Sequence, residues 1–266
     1  MKKIVLLSFS FASLYAAAQN VKLEVGKTFK TTTTIESVSE MMGQENTTNV
    51  TSTSNLKIVS LDKNLYKGNS TLAKMTMTGS MMGQDINFDS DKKADMDSQI
   101  GQMLGGAVGK ATEFTIDKNT GEQKTIASAE KEESGAMGGL MGGSGSEGNQ
   151  NIFFVDAISK KVGEKWSKTT DVDGLKTINN YEIITIKEGL ITLSSNGTTK
   201  GSTTKSFGPQ SVDMTIDTKT TSTLIIDANT GLIKSIVSNA ESNTSMDMGG
   251  QTMATTGKTK ITVTTE

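Results

Sequence analysis

Apolar and polar residues alternate along most of this chain, and the alternation has the period of a β-strand. Val21-Lys22-Leu23-Glu24-Val25 alternates strictly, so a strand is expected there. Asn55 to Ser60 and Asn64 to Lys67 flank a short turn at Asp62-Lys63. Tyr181 to Ile186 and Leu190 to Leu193 flank Lys187-Glu188-Gly189 in the same way. The long runs from Val50 and from Ile178 are too rich in β-branched residues to favour helix. Abundant Thr beside Ile and Val suits strands with one face in water. The pattern predicts a mainly β protein with a minor helix, its antiparallel sheet wet on one face.

One segment departs from this period. Met96, Ile100, Met103, Leu104 and Ala107 recur at helical spacing, with Ser90 or Asp91 as a cap and Gly109 as a stop. A helix is expected over about 92–108. Glu130 to Asn149 is Gly-rich with few apolar residues and reads as a linker. Ile152 to Ile158 is a short apolar stretch, enough for one or two helical turns.

Two motifs occur twice, in the same order. Val25-Gly26-Lys27-Thr28-Phe29 is matched by Val162-Gly163-Glu164-Lys165-Trp166. Asp117-x-Asn-Thr-Gly121, ending at Ile126, is matched by Asp227-x-Asn-Thr-Gly231, ending at Ile236. The order predicts two tandem antiparallel β repeats, 19–127 and 151–266, joined by the linker 128–150. Each alone would have a meagre core, so a shared curved sheet or open half-barrel is expected. Phe29 and Trp166 are then counterparts, each three residues after the shared Gly, and both are expected to be buried anchors. Gly121 and Gly231 are expected at positive φ in bulged hairpins. Met41-Met42-Gly43-Gln44, Met81-Met82-Gly83-Gln84 and Met248-Gly249-Gly250-Gln251 read as three tight turns.

Composition narrows the chemistry. Residues 1–18 read as a secretory signal: Lys2 and Lys3, then an apolar run from Ile4 to Tyr15, then Ala16-Ala17-Ala18. Export to the periplasm or exterior of a Gram-negative bacterium is expected. No later run is long and apolar enough for a membrane-spanning helix. The chain has no His, no Cys and no Arg, and all 27 basic residues are Lys. That removes the ligands of zinc sites, Ser-His-Asp triads and Cys nucleophiles. A formal charge of −2 without Arg also lacks the footprint of a nucleic-acid binder.

With these motifs in place, the chain resembles a family of exported bacterial proteins, some of them lipoproteins, known only as a domain of unknown function. The likeness rests on Val162, Gly163, Trp166, Tyr181, Asp227, Thr230 and Gly231. It implies a β-rich exported protein and brings no catalytic residue with it. Lacking Cys, this chain departs from the lipoprotein members, so a lipid anchor is not implied.

Four candidate sites remain. Met75 with Met77, and Met246 with Met248 and Met253 nearby, have the spacing at which two strand residues share a face, and thioethers favour Cu(I). The competing reading is that these methionines fill the sheet's apolar face. Asp85, Asp89, Asp91, Asp213 and Asp217 lie near strand ends and are the carboxylates a glycosidase-like hydrolase would use, though nothing in the sequence pairs them. Asp117-x-Asn119 and Asp227-x-Asn229 superficially match a calcium loop, but Gly in fifth place fits a bulged hairpin better. Finally, a helix laid across the sheet would make an apolar groove, with Met103 and Leu104 as ligand-binding candidates. The expected function is that of a non-enzymatic envelope protein, without a cofactor. It would act by binding, to lipid or to another envelope protein, or as a structural part.

Overall fold

The computed structural model describes residues 20–41, 43–81, 83–104, 107–126, 152–207, 210–248 and 251–266. The strands are β1 (Thr28–Met41), β2 (Gln44–Asp62), β3 (Leu65–Met81), β4 (Gln84–Asp89), β5 (Ala111–Asp117) and β6 (Gln123–Thr125). There follow β7 (Lys165–Val172), β8 (Leu175–Lys187), β9 (Leu190–Phe207), β10 (Gln210–Asp227), β11 (Ile233–Met248) and β12 (Gln251–Thr265). Two short helices, α1 (Lys93–Met96) and α2 (Gln99–Leu104), lie between β4 and β5. A 3₁₀ turn, Val155–Ala157, precedes β7.

Among the described residues, all twelve strands join one sheet, and every strand pairing is antiparallel. The order is β6-β5-β3-β2-β1-β12-β11-β10-β9-β8-β7, with β4 added beside β3. Among the described residues the sheet is open: β7 pairs only with β8, and β6 only with β5. The two halves of the chain meet through β1 and β12, in register from Thr31 opposite Thr265 to Met41 opposite Thr255. This long ladder gives both halves one continuous apolar face, so neither must bury its own alone.

The matched motifs take matched geometry. Gly26 N–H donates to the Ile58 carbonyl, and Gly163 N–H to the Ile183 carbonyl, both at 2.8 Å. Gly121 N–H donates to the Asp117 carbonyl and Gly231 N–H to the Asp227 carbonyl, again both at 2.8 Å. Asp117 Oδ1 accepts from the N–H groups of Asn119 and Thr120, and Asp227 Oδ1 from those of Asn229 and Thr230. Both glycines have positive φ, 72° and 74°. The Met-Met-Gly-Gln turns also read correctly. Met41 opposes Gln44, Met81 opposes Gln84, and Met248 opposes Gln251, each across a two-residue loop.

Two expected elements differ. Val21 to Val25 is not a strand, because its backbone groups go to a turn and a side chain instead of a ladder. Val21 N–H donates to the Lys118 carbonyl at 2.7 Å, and Tyr66 hydroxyl bonds Val21 and Leu23. The segment lies across the core with Val21 fully buried. The single helix expected over about 92–108 is two helices broken at Asp97-Ser98. Ser98 Oγ donates back to the Asp95 carbonyl and accepts the Gly101 N–H at 3.1 Å, capping the start of the second helix. Gly101 permits this, since a Cβ there would stand 2.1 Å from the Asp95 carbonyl oxygen.

Apolar residues form three clusters. One joins Phe29, Leu56, Ile58, Tyr66, Phe114 and Ile116 to Val21 and Phe153. A second joins Ile183, Ile191, Leu193, Leu224, Ile226 and Ile233 to Ala157. The third is Val50, Met77, Ile86 and Phe88, onto which Met96 of α1 and Ile100 of α2 pack. The linker 128–150 and the signal 1–18 lie outside the described residues.

Candidate functional site

Residues directly opposite each other in neighbouring strands share a sheet face. Following the register from Phe88 therefore traces one line across the molecule. It runs from Phe88 through Met77, Val50 and Ile35 to Ile261 at the centre. It continues through Ser238, Ser222 and Ser195 to Tyr181 and Trp166 at the β7 edge. The line is apolar at both ends, with three small serines in between. Ser222 and Ser238 satisfy each other at 2.9 Å.

The two ends are built differently. At the first, α1 and α2 cover Met77 and Phe88, which are fully buried or nearly so. At the second, Trp166 stacks on Tyr181 at 5.3 Å between ring centroids, with Phe154 5.2 Å from Tyr181. Lys160 Nζ stands 5.4 Å from the centre of the Trp166 ring and bonds Glu164 at 2.8 Å. That bond, then the Lys161 backbone N–H, holds the Glu164 carboxyl below its usual range. Burial, then the nearby Asp156 carboxylate, pushes the Tyr181 phenol up. Trp166 is only half-buried, in contrast to Phe29, which is 3% exposed. The expected equality fails because β1 is an interior strand between β2 and β12, whereas β7 is the edge.

Beyond this line, β9 to β11 carry Gly197, Thr199, Gly201, Thr220, Ile216, Ala240, Ser242 and Thr244 on the same face. Most are half-buried, and Ile216 is buried. Gly197 is needed there: a Cβ would meet Asn179 Oδ1 at 2.4 Å, so its absence lets Asn179 lie across β9. The reverse face has a hollow of about 320 Å³ at the β7 edge, lined by Lys165, Ser167, Asn180, Glu182, Ser194 and Asn196 with Trp166 and Tyr181. Four of its polar side chains pair, Ser167 with Asn180 at 2.6 Å and Lys165 with Glu182 at 3.2 Å.

The sequence-derived candidates fare unevenly. Met75 and Met77 share a face as expected, but Met77 is fully buried in the third cluster and Met75 packs against it. They are core residues. Met246 and Met248 lie on β11, separated from β3 by β12, β1 and β2, so the two pairs do not form one site. Met103 and Leu104 fall in the last turn of α2, and their side chains lie outside the described residues. Asp89 and Asp91 both pair with Lys74, at 3.7 and 2.5 Å. Hydrogen bonding from the Asp91 N–H, more than Lys74, pulls the Asp89 carboxyl down, opposite to the shift a general acid needs. Asp217 pairs with Lys200 at 2.7 Å, and Asp213 accepts from Thr204 at 2.6 Å. Asp85 lies on β4, away from them. Asp117 Oδ1 is taken up by backbone N–H groups rather than held open for calcium. Among the described residues, no three His, Cys, Asp or Glu side chains come close enough to hold a metal ion.

The fold thus defines an open, all-antiparallel sheet with one apolar face and little helix. Residues 146–233 match the family described as "Family of unknown function (DUF6263)". No curated protein sequence matches the chain. Among solved structures it is similar to lipovitellin, described for its lipid–protein interactions, at 10% identity and a TM-score of 0.49. That match covers 90% of this chain but 25% of lipovitellin, so the chain spans about a quarter of that protein. An outer membrane channel from Pseudomonas putida F1 is similar at 9% identity and a TM-score of 0.27, covering 92% of this chain and 97% of the channel. OpdQ of Pseudomonas aeruginosa matches at 6% identity and a TM-score of 0.24, covering 92% of this chain and 99% of that one. Among the described residues, no helix is long and apolar enough to cross a membrane.

Proposed function

We propose that this chain is a non-enzymatic protein exported to the envelope of a Gram-negative bacterium. It holds a hydrophobic ligand, such as a lipid acyl chain, against the apolar face of its sheet. Its two halves are tandem copies of one β unit, merged into an open half-barrel whose concave side is that face. The repeat reading is supported by matching hydrogen bonds: Gly26 to Ile58 as Gly163 to Ile183, and Gly121 to Asp117 as Gly231 to Asp227. The binding reading is carried by one observation. The line from Phe88 to Trp166 belongs to a single face that α1 and α2 pack against at the first-half end, while the β9–β12 stretch of that face stays half-buried. Small Gly, Ser, Ala and Thr side chains there leave depth above the backbone, and Thr methyls make it partly apolar. The non-enzymatic reading draws on the sequence, which offers no His, Cys or Arg.

Native mass spectrometry of protein gently extracted from its own host tests this. Lipid adducts are expected on the wild-type chain. They should be lost on Ala240→Glu, which puts a charge on the floor, and on Met103→Asp with Leu104→Asp, which charges the helical side. Circular dichroism must show the strand content kept. Adduct-free protein, or adducts that survive all three substitutions, overturns the ligand reading. Co-purification of a stoichiometric protein partner in place of lipid would favour a scaffold role.

A further inference from the structure

Four methionines fall on four consecutive strands at one end of one sheet face. Met214 on β10 is directly opposite Met246 on β11, and Met246 is directly opposite Met253 on β12. Residues so placed share a face, with Cβ atoms about 4.5–5.5 Å apart. Met41 ends β1 opposite Thr255, two residues along β12 from Met253 and on the same face. That diagonal is about 7–8 Å between backbones. All four are half-buried, unlike Met77. A Met side chain has three rotatable bonds, enough for the sulfurs of Met214 and Met253 to lean toward that of Met246.

A thioether is neutral, polarizable and has no proton to lose. Among metal ions it favours soft monovalent ones. The chain has no Cys or His to compete for such an ion. Asp213 and Asp247, next in sequence to Met214 and Met246, oppose each other on the reverse face. They add negative potential at this end of the sheet.

We infer that Met214, Met246 and Met253, with Met41 beside them, form a binding site for a soft monovalent cation, Cu(I) or its analogue Ag(I). The site lies on the same sheet face as the ligand reading above, at its end beyond Ile216 and Thr244, and it is separate from the buried pair Met75 and Met77. The sequence pointed to spacing within one strand; the register assembles ligands across three.

The test is Ag(I) titration of protein labelled with ¹³C at the methionine methyls, assigned through single Met→Leu variants. Saturation at one equivalent is expected, with shifts concentrated at Met214, Met246 and Met253, smaller at Met41 and absent at Met77. Met246→Leu, a volume-conserving change, should weaken binding by about tenfold or more, since it removes the central ligand. Met75→Leu should leave it unchanged. Anaerobic competition of Cu(I) with a chelator should rank the variants alike. Parallel, unsaturable shifts at every half-buried methionine, or wild-type binding by Met246→Leu, overturns the inference.

Discussion

Gly68 on β3 lies directly opposite Phe114 on β5, and the Phe114 ring occupies the space a side chain on Gly68 would need. A Cβ at Gly68 would stand 2.5 Å from the ring's outer carbon and 2.5 Å from the Lys57 carbonyl oxygen. In the other half, Leu193 opposes Leu224 at the matching place. Small plus large in one half thus fills what two medium side chains fill in the other.

Gly68→Ala should therefore destabilise the fold by about 1–3 kcal/mol, the usual cost of overpacking. Combining it with Phe114→Leu should recover only part of the loss, because the Lys57 carbonyl contact remains. Urea unfolding of the two variants checks both statements.

The bulged turns should respond alike. Gly121 and Gly231 sit at φ 72° and 74°, and a Cβ on either would also press on Val155 at 3.1–3.2 Å. Ala at each position should cost about 1–2 kcal/mol or more, from the left-handed backbone alone. Similar losses at the two sites are expected from thermal or urea melts.

Phe29 and Trp166 should not respond alike. Phe29→Ala removes a buried ring and should cost about 3–5 kcal/mol. Trp166→Ala should cost less, because at the edge strand the indole stays partly exposed. Trp166 fluorescence in the folded protein should lie between the buried and the solvent-exposed limits and should be quenched by iodide. Full protection from iodide would contradict the edge position.

Acid should loosen the first turn. The Asp117 carboxyl is held below its usual range by the N–H groups of Thr120 and then Asn119. A depressed carboxylate stabilises the fold above its unfolded pKa, about 3.9, and this contribution is lost as pH falls through the lower folded value. Asp117→Asn should thus lower stability at pH 7 and narrow its gap to wild type below about pH 4. Amide exchange at Asn119 and Thr120 across that range measures it.

Much of the architecture was legible before any coordinates. The strand period, the hairpin turns at Met41–Gln44 and Met81–Gln84, and the positive φ of Gly121 and Gly231 follow from local sterics, which short motifs encode. The helix break was less legible. Ser98 stands at a position of ordinary helical pattern, and its capping role appears only once Gly101 packs against Asp95. The grouping of methionines was legible only in part, because the spacing pointed to Met246 with Met248 and Met253 nearby but not to Met214 or Met41. Met75 and Met77 look the same as Met246 in sequence, but β3 is covered by α1 and α2, whereas Met246 lies between Met214 and Met253.

By itself, the sequence determined the elements and their two faces, because side-chain alternation and turn chemistry act over a few residues. It also placed Phe29 and Trp166 at equivalent points after Gly26 and Gly163. Only the tertiary structure decided that these equivalent residues live in different environments. The β1–β12 ladder seats Phe29 in the middle of the sheet, while among the described residues no strand pairs outside β7 and Trp166 stays at the rim. Pairing between strands more than 200 residues apart depends on which edges remain unsatisfied after every local hairpin has formed, and no short stretch of sequence carries that information.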